Sequence, residues 1–174
     1  MKKSVLLNIP NIICYLRLVL LILFIHYKNI IYYILSSSMD FLDGHAARKF
    51  NQCTFLGTIL DMTIDRASNL VILLMSQVKS LLIINLVLLD FLSHFICFTV
   101  NVKKGLHHKS VSGIMSIYYN KKILFTLCAG SELYLLLLFT ENKFVDYFVF
   151  FYYIKSFFHF IQLFNSLYEA SEIN

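Results

Sequence analysis

Residues 40–65 read DFLDGHAARKFNQCTFLGTILDMTID, and the fold of the chain turns on how this stretch is understood. It carries Asp40, Asp43, Asp61 and Asp65 inside two otherwise apolar runs, about 29–49 and 55–77, joined by the polar turn Asn51-Gln52-Cys53. Asp40 and Asp43 are spaced i,i+3 and share a helical face; Asp61 and Asp65, at i,i+4, share a face of the next helix. In an antiparallel hairpin turning near Gln52, position 43 lies nine residues before the turn and 61 nine after, with 40 and 65 twelve and thirteen away. The two pairs therefore meet at matched depth.

The rest of the chain identifies the solvent around that hairpin. Of 174 residues, 59% are hydrophobic and 14% charged, there is one proline, and the mean hydropathy is +0.72. Soluble domains carry about 25% charge, so this composition belongs to the membrane class, and its length suits one domain, residues 1–174. Runs long enough to span the bilayer lie at about 11–27, 29–49, 55–77, 80–101, 119–140 and 144–167. The expected fold is an all-α integral membrane protein of six transmembrane helices.

The net charge of +5 is spread over short loops and forms no continuous basic face, which argues against a nucleic-acid partner. With a cytosolic N-terminus, Lys2, Lys3, Arg48, Lys49, Lys103, Lys104, Lys109, Lys121 and Lys122 fall inside, and only Lys28, Lys79 and Lys143 outside. The positive-inside rule then places both termini and the turn at Asn51 in the cytosol, and the aspartates in the cytosolic half of the bundle. Met1-Lys2-Lys3 opens like a signal peptide. Pro10-Asn11 and Arg17 interrupt the apolar stretch, however, and no small-x-small cleavage site follows, so the segment is expected to be retained. Cys14, Cys53, Cys97 and Cys128 lie far apart and read as small apolar fillers.

A mid-helix Asp costs roughly 2.5–3.5 kcal/mol by insertion scales, so four in one hairpin cost on the order of 10 kcal/mol and need compensation. All-oxygen ligation by carboxylates with few cations nearby favours Mg²⁺ or Mn²⁺ over Zn²⁺. Gly44 continues the first acidic stripe and Gly57 lies one turn before Asp61, where missing side chains admit a ligand or a facing backbone. Thr54 is placed to cap the following helix, whose N–H groups face an anion, and Arg48 is placed to fork onto a phosphate. A transporter lining a cation path is the competing class. Its path would continue outward, whereas residues 30–34 and 71–75 are apolar or aromatic.

The eight residues Asp40, Asp43, Gly44, Ala47, Arg48, Gly57, Asp61 and Asp65 stand at the spacing of the CDP-alcohol phosphatidyltransferase signature, and the chain resembles that family from about residue 8 to 165. Within it, Asp43–Arg48, Leu60–Arg66, Leu127–Leu133, Pro10-Asn11 and Ser93-His94 resemble the eukaryotic branch that uses myo-inositol, with Ser131 where an Asn would be expected. The resemblance implies transfer of the phosphatidyl group of CDP-diacylglycerol to myo-inositol, with release of CMP, in a homodimer of the endoplasmic reticulum. It implies two metal ions on Asp40, Asp43 and Asp61, and Asp65 as proton acceptor that also touches metal. Gly44, Arg48 and Thr54 would contact the CDP-lipid, with Ala47 and Gly57 leaving room for it. Sister enzymes using glycerol 3-phosphate or serine share the motif.

For the acceptor, Asp90, Ser93 and His94 form one stripe at i, i+3 and i+4, suited to hydrogen-bonding a neutral polyol. Glu132, Arg17 and Arg66 are left to pair among themselves.

Overall fold

A computed structural model describes residues 3–77, 80–105 and 113–173, in which α-helix is the only extended secondary structure. Lys2, Lys79 and Lys109, three of the charges used for orientation, lie outside these residues. Six long helices appear: α2 Ile9–Tyr27, α3 Ile30–Lys49, α4 Phe55–Met75, α5 Leu81–Lys103, α7 Lys121–Phe139 and α8 Val149–Ser171. Two four-residue helices, α1 Lys3–Leu6 and α6 Met115–Tyr118, and a 3₁₀ turn at Val145–Tyr147 complete the described elements. The long helices have 19 to 23 residues, a rise of about 28–35 Å, which matches a hydrocarbon core of about 30 Å.

Local chemistry sets the helix ends. α2 starts with Pro10 in its first turn and stops at Lys28, whose left-handed φ of 54° sends its N–H back to the Phe24 carbonyl. Asn29 then caps α3 by accepting from Ile31 N–H at 3.0 Å, and Asn120 caps α7 in the same way through Lys122 N–H. α8 begins at Val149, later than the run from 144 implies, because Val145–Tyr147 winds as 3₁₀.

The chain divides into two compact units, residues 1–75 and 76–174. In the first, α2 packs against α3 and α4, with Cys14, Leu21, Phe24, Tyr33, Ile64 and Ile72 buried. In the second, α8 packs against α5 and α7. Gly130 of α7 lets α8 approach closely, since a Cβ there would run into the Phe151 ring. Tyr33, Tyr118 and Tyr152 are buried and serve as packing residues.

Burial is inverted relative to a water-soluble bundle. Asn11, Arg17, Ser36 and Asp43 are buried in the first unit, and Asp90, Ser93, Lys155, His159 and Gln162 in the second. Leu16, Val19, Ile22, Leu88, Phe91, Phe157 and Phe164 are exposed. Such side chains are stable outside only against lipid, and polar groups withdraw from lipid to find partners. α2, α5 and α7 are long and apolar enough to cross a membrane by composition alone. α3 and α4 carry the acidic residues that lower their hydropathy. The protein is an integral membrane protein.

Candidate active site

The first unit gathers the four aspartates of α3 and α4 around one cation. Arg17, on α2 and 2% exposed, places Nη1 at 2.8 Å from Asp40 Oδ1, 2.6 Å from Asp43 Oδ2 and 3.2 Å from Asp61 Oδ1. Its Nη2 lies 2.5 Å from Asp65 Oδ1, and Arg66 approaches the other Asp65 oxygen at 3.7 Å. The cluster is thus not poor in cations: Arg17 and Arg66 both turn to the aspartates. Ser36 of α3 locks the arrangement by donating its hydroxyl to the Arg17 carbonyl at 3.0 Å.

Two guanidinium charges against four carboxylates still leave a formal excess of two negative charges. Asp40, Asp61 and Asp65 each offer an oxygen within 4.8 Å of the others, a donor set of hard oxygens that fits Mg²⁺ or Mn²⁺. Their side chains are 37%, 47% and 27% exposed, so an ion and its waters can reach them. Asp43 differs. It is 5% exposed, held by Arg17, and accepts from the Cys14 thiol at 3.5 Å.

Beside the aspartates lies a cavity of about 160 Å³. Gly44, Ala47, Arg48, Thr54 and Gly57, the five positions expected to meet a CDP-lipid, all line it, together with Asp43 and Asp61. Thr54 caps α4: its hydroxyl accepts from Gly57 N–H at 3.1 Å, which leaves the hydroxyl proton to donate. Gly57 is required here by close approach, since a Cβ would stand 3.0 Å from Asn11 Oδ1 and 3.2 Å from Thr54 Oγ1. The turn between the helices uses Asn51 at φ 53°, and Gln52 ties it to the start of α2 by accepting from Ile9 N–H at 3.0 Å.

The second unit holds a different polar cluster. Asp90 and Ser93 of α5 are 5% and 0% exposed, and His94 Nδ1 lies 3.1 Å from Asp90 Oδ1. His159 of α8 joins them, its Nδ1 at 3.3 Å from the same Asp90 oxygen and its Nε2 at 3.4 Å from the Tyr118 hydroxyl. Gln162 donates to the Ser93 carbonyl at 3.5 Å. The sequence reading left Arg17 to pair with Glu132 and Arg66, whereas it meets the four aspartates, and it left out His159 and Gln162. For the last two a signal existed: Ser156, His159, Gln162 and Ser166 recur every three or four residues, with Lys155 beside them, and all are buried.

The CDP-alcohol phosphatidyltransferase family model matches residues 7–163. A CDP-diacylglycerol--inositol 3-phosphatidyltransferase of Rattus norvegicus is 35% identical over 157 residues, 81% of this chain and 74% of that protein. Proteins of the same name from Homo sapiens and Saccharomyces cerevisiae are each 36% identical, over 79% and 76% of this chain and 72% and 67% of their own lengths. No solved structure matches. With six of the eight signature residues lining one cavity and a family match that runs through both units, the chain belongs to the CDP-alcohol phosphatidyltransferase family.

Proposed function

We propose that this chain is a phosphatidylinositol synthase, a CDP-diacylglycerol–inositol 3-phosphatidyltransferase that moves the phosphatidyl group of CDP-diacylglycerol to myo-inositol and releases CMP. The observation that carries the reading is the cavity lined by Gly44, Ala47, Arg48, Thr54 and Gly57 with Asp43 and Asp61 in its wall. The guanidinium of Arg48 and the hydroxyl of Thr54 bind the diphosphate, and the two glycines let it approach the backbone. Asp40, Asp43 and Asp61 would hold two divalent ions, with Asp65 touching one of them. Bound there, such ions would neutralise the diphosphate and stabilise the departing CMP.

Asp65 takes the proton of the attacking inositol hydroxyl. The oxygen so freed forms the new bond to the phosphorus that carries the diacylglycerol, and the bond from that phosphorus to the CMP oxygen breaks. Arg17 orients Asp65 and holds the aspartates together against their mutual repulsion. Asp90, Ser93 and His94 hydrogen-bond the acceptor.

Purified protein given CDP-diacylglycerol, Mg²⁺ or Mn²⁺ and labelled alcohols tests the assignment through its lipid product, expected to be phosphatidylinositol. His94→Ala should raise the inositol KM by roughly 10-fold while sparing affinity for the CDP-lipid, since an unpaired buried polar group costs about 1–3 kcal/mol. Faster consumption of glycerol 3-phosphate or serine would keep the enzyme class and remove the acceptor.

The family match crosses from one compact unit to the other, which supports one catalytic domain over residues 1–174. Helix lengths of 19 to 23 residues support six spans, and lysine and arginine placement supports cytosolic termini with the aspartates at cytosolic depth. There the charged CDP stays near water while the acyl chains stay in lipid. Residence in the endoplasmic reticulum and a homodimer rest on the resemblance. In a cysteine-free background, Lys103→Cys should react only with reagents that reach the cytosolic face. Labelling exclusively from the lumen would overturn this orientation.

A further inference from the structure

The cluster at Asp90, His94 and His159 differs in chemistry from the aspartates. Two imidazoles and one carboxylate suit Zn²⁺-class ions, whereas Mg²⁺ prefers oxygen alone. We propose that Asp90, His94 and His159 form a binding site for a transition-metal dication of the Zn²⁺ class. The proposal rests on ligand geometry and is independent of the acceptor assignment.

The distances carry it. An ion with bonds of about 2.0–2.1 Å and tetrahedral angles sets its ligand atoms about 3.3 Å apart. Asp90 Oδ1 stands 3.1 Å from His94 Nδ1 and 3.3 Å from His159 Nδ1. Each of the three residues offers a donor atom within 4.8 Å of those of the other two. The ligands come from two helices that pack together, α5 and α8, so the site is formed by tertiary structure.

Outer contacts support it independently. A histidine that ligates through Nδ1 carries its proton on Nε2 and passes it to an acceptor, which fixes the ring. His159 Nε2 has the Tyr118 hydroxyl at 3.4 Å for that purpose, and Tyr118 is itself held by stacking on Phe158, with ring centroids 4.9 Å apart. His94 Nδ1 also lies 2.9 Å from the Asp90 carbonyl, to which it donates when protonated. Binding exchanges that proton for the ion, because neutral imidazole is the ligand form. Three protein ligands leave a fourth position for water or an inhibitor.

The consequence is regulatory. An ion held by Asp90 and His94 occupies the two side chains proposed for the acceptor, so Zn²⁺ would compete with inositol. Only this consequence rests on the acceptor reading.

Co²⁺ titration of the purified protein in detergent, with excess Mg²⁺ covering the aspartates, tests the site. Expected is one equivalent of Co²⁺ with the visible absorption of a tetrahedral nitrogen–oxygen site, displaced by Zn²⁺. His159→Gln and His94→Gln, on different helices, should each weaken binding about 100-fold, and Tyr118→Phe about 10-fold. Asp61→Asn should leave the signal unchanged. Absence of the absorption in the unaltered protein overturns the proposal whatever the variants do. So does wild-type binding in both histidine variants, or loss of the signal in Asp61→Asn. If Co²⁺ or Zn²⁺ binds as expected but the inositol KM does not move, the metal site stands and the acceptor assignment falls.

Discussion

Asp43→Ala is expected to lower turnover about 10³-fold or more, equivalent to about 4 kcal/mol of transition-state stabilisation, and to weaken the apparent affinity for Mg²⁺ or Mn²⁺. Asp43 stands where the cavity wall meets the Arg17 cluster, with its side chain 5% exposed and Arg17 Nη1 at 2.6 Å. Alanine removes a carboxylate that no neighbour replaces. Stability should suffer less than activity. Orphaning a buried charge costs about 3–5 kcal/mol, but Arg17 keeps Asp40, Asp61 and Asp65 and is not orphaned. Comparing CMP release with thermal loss of helical ellipticity separates the two effects. Near-normal turnover would sink the metal role, and a fall in activity matched by unfolding would make Asp43 structural.

The features that were legible before any coordinates are those written in one helix at a time. Runs of about 20 apolar residues, with Thr54 placed as a cap, located the six long helices to within a few residues at most ends. The i,i+3 and i,i+4 spacings put the aspartates on facing stripes, and Arg17 touches all four. Features that depend on the rotation of one helix against another were not legible. A lone arginine in an apolar run does not reveal which neighbour it faces, so its pairing with the aspartates waited on the packing of α2. His159 is an intermediate case. Its polar stripe marks the buried face of α8, yet only the packing of α8 on α5 says that Asp90 lies opposite. The division into two compact units has no counterpart in composition, since no Gly-, Pro- or Ser-rich linker separates residues 75 and 76.

Asp65→Asn should retain CDP-lipid binding while kcat falls by about 10²–10⁴-fold, the usual contribution of a positioned general base. The amide keeps the shape of the carboxylate and can still accept from Arg17 Nη2, which lies 2.5 Å from Asp65 Oδ1. It cannot take up the proton of the inositol hydroxyl. Arg17 retains three carboxylates and Arg66 lies 3.7 Å from Asp65, so local charge shifts by one unit without stranding either cation. None of the five cavity residues expected at the diphosphate is altered, so the donor should bind as before. Equilibrium binding of CDP-diacylglycerol, measured beside single-turnover transfer, divides the defect between the two steps. A loss of donor affinity that accounts for the whole fall would make Asp65 a binding residue. Unimpaired single-turnover transfer would assign the proton to another acceptor, and among the described residues Asp61, one helical turn earlier and 47% exposed, would be the next to test.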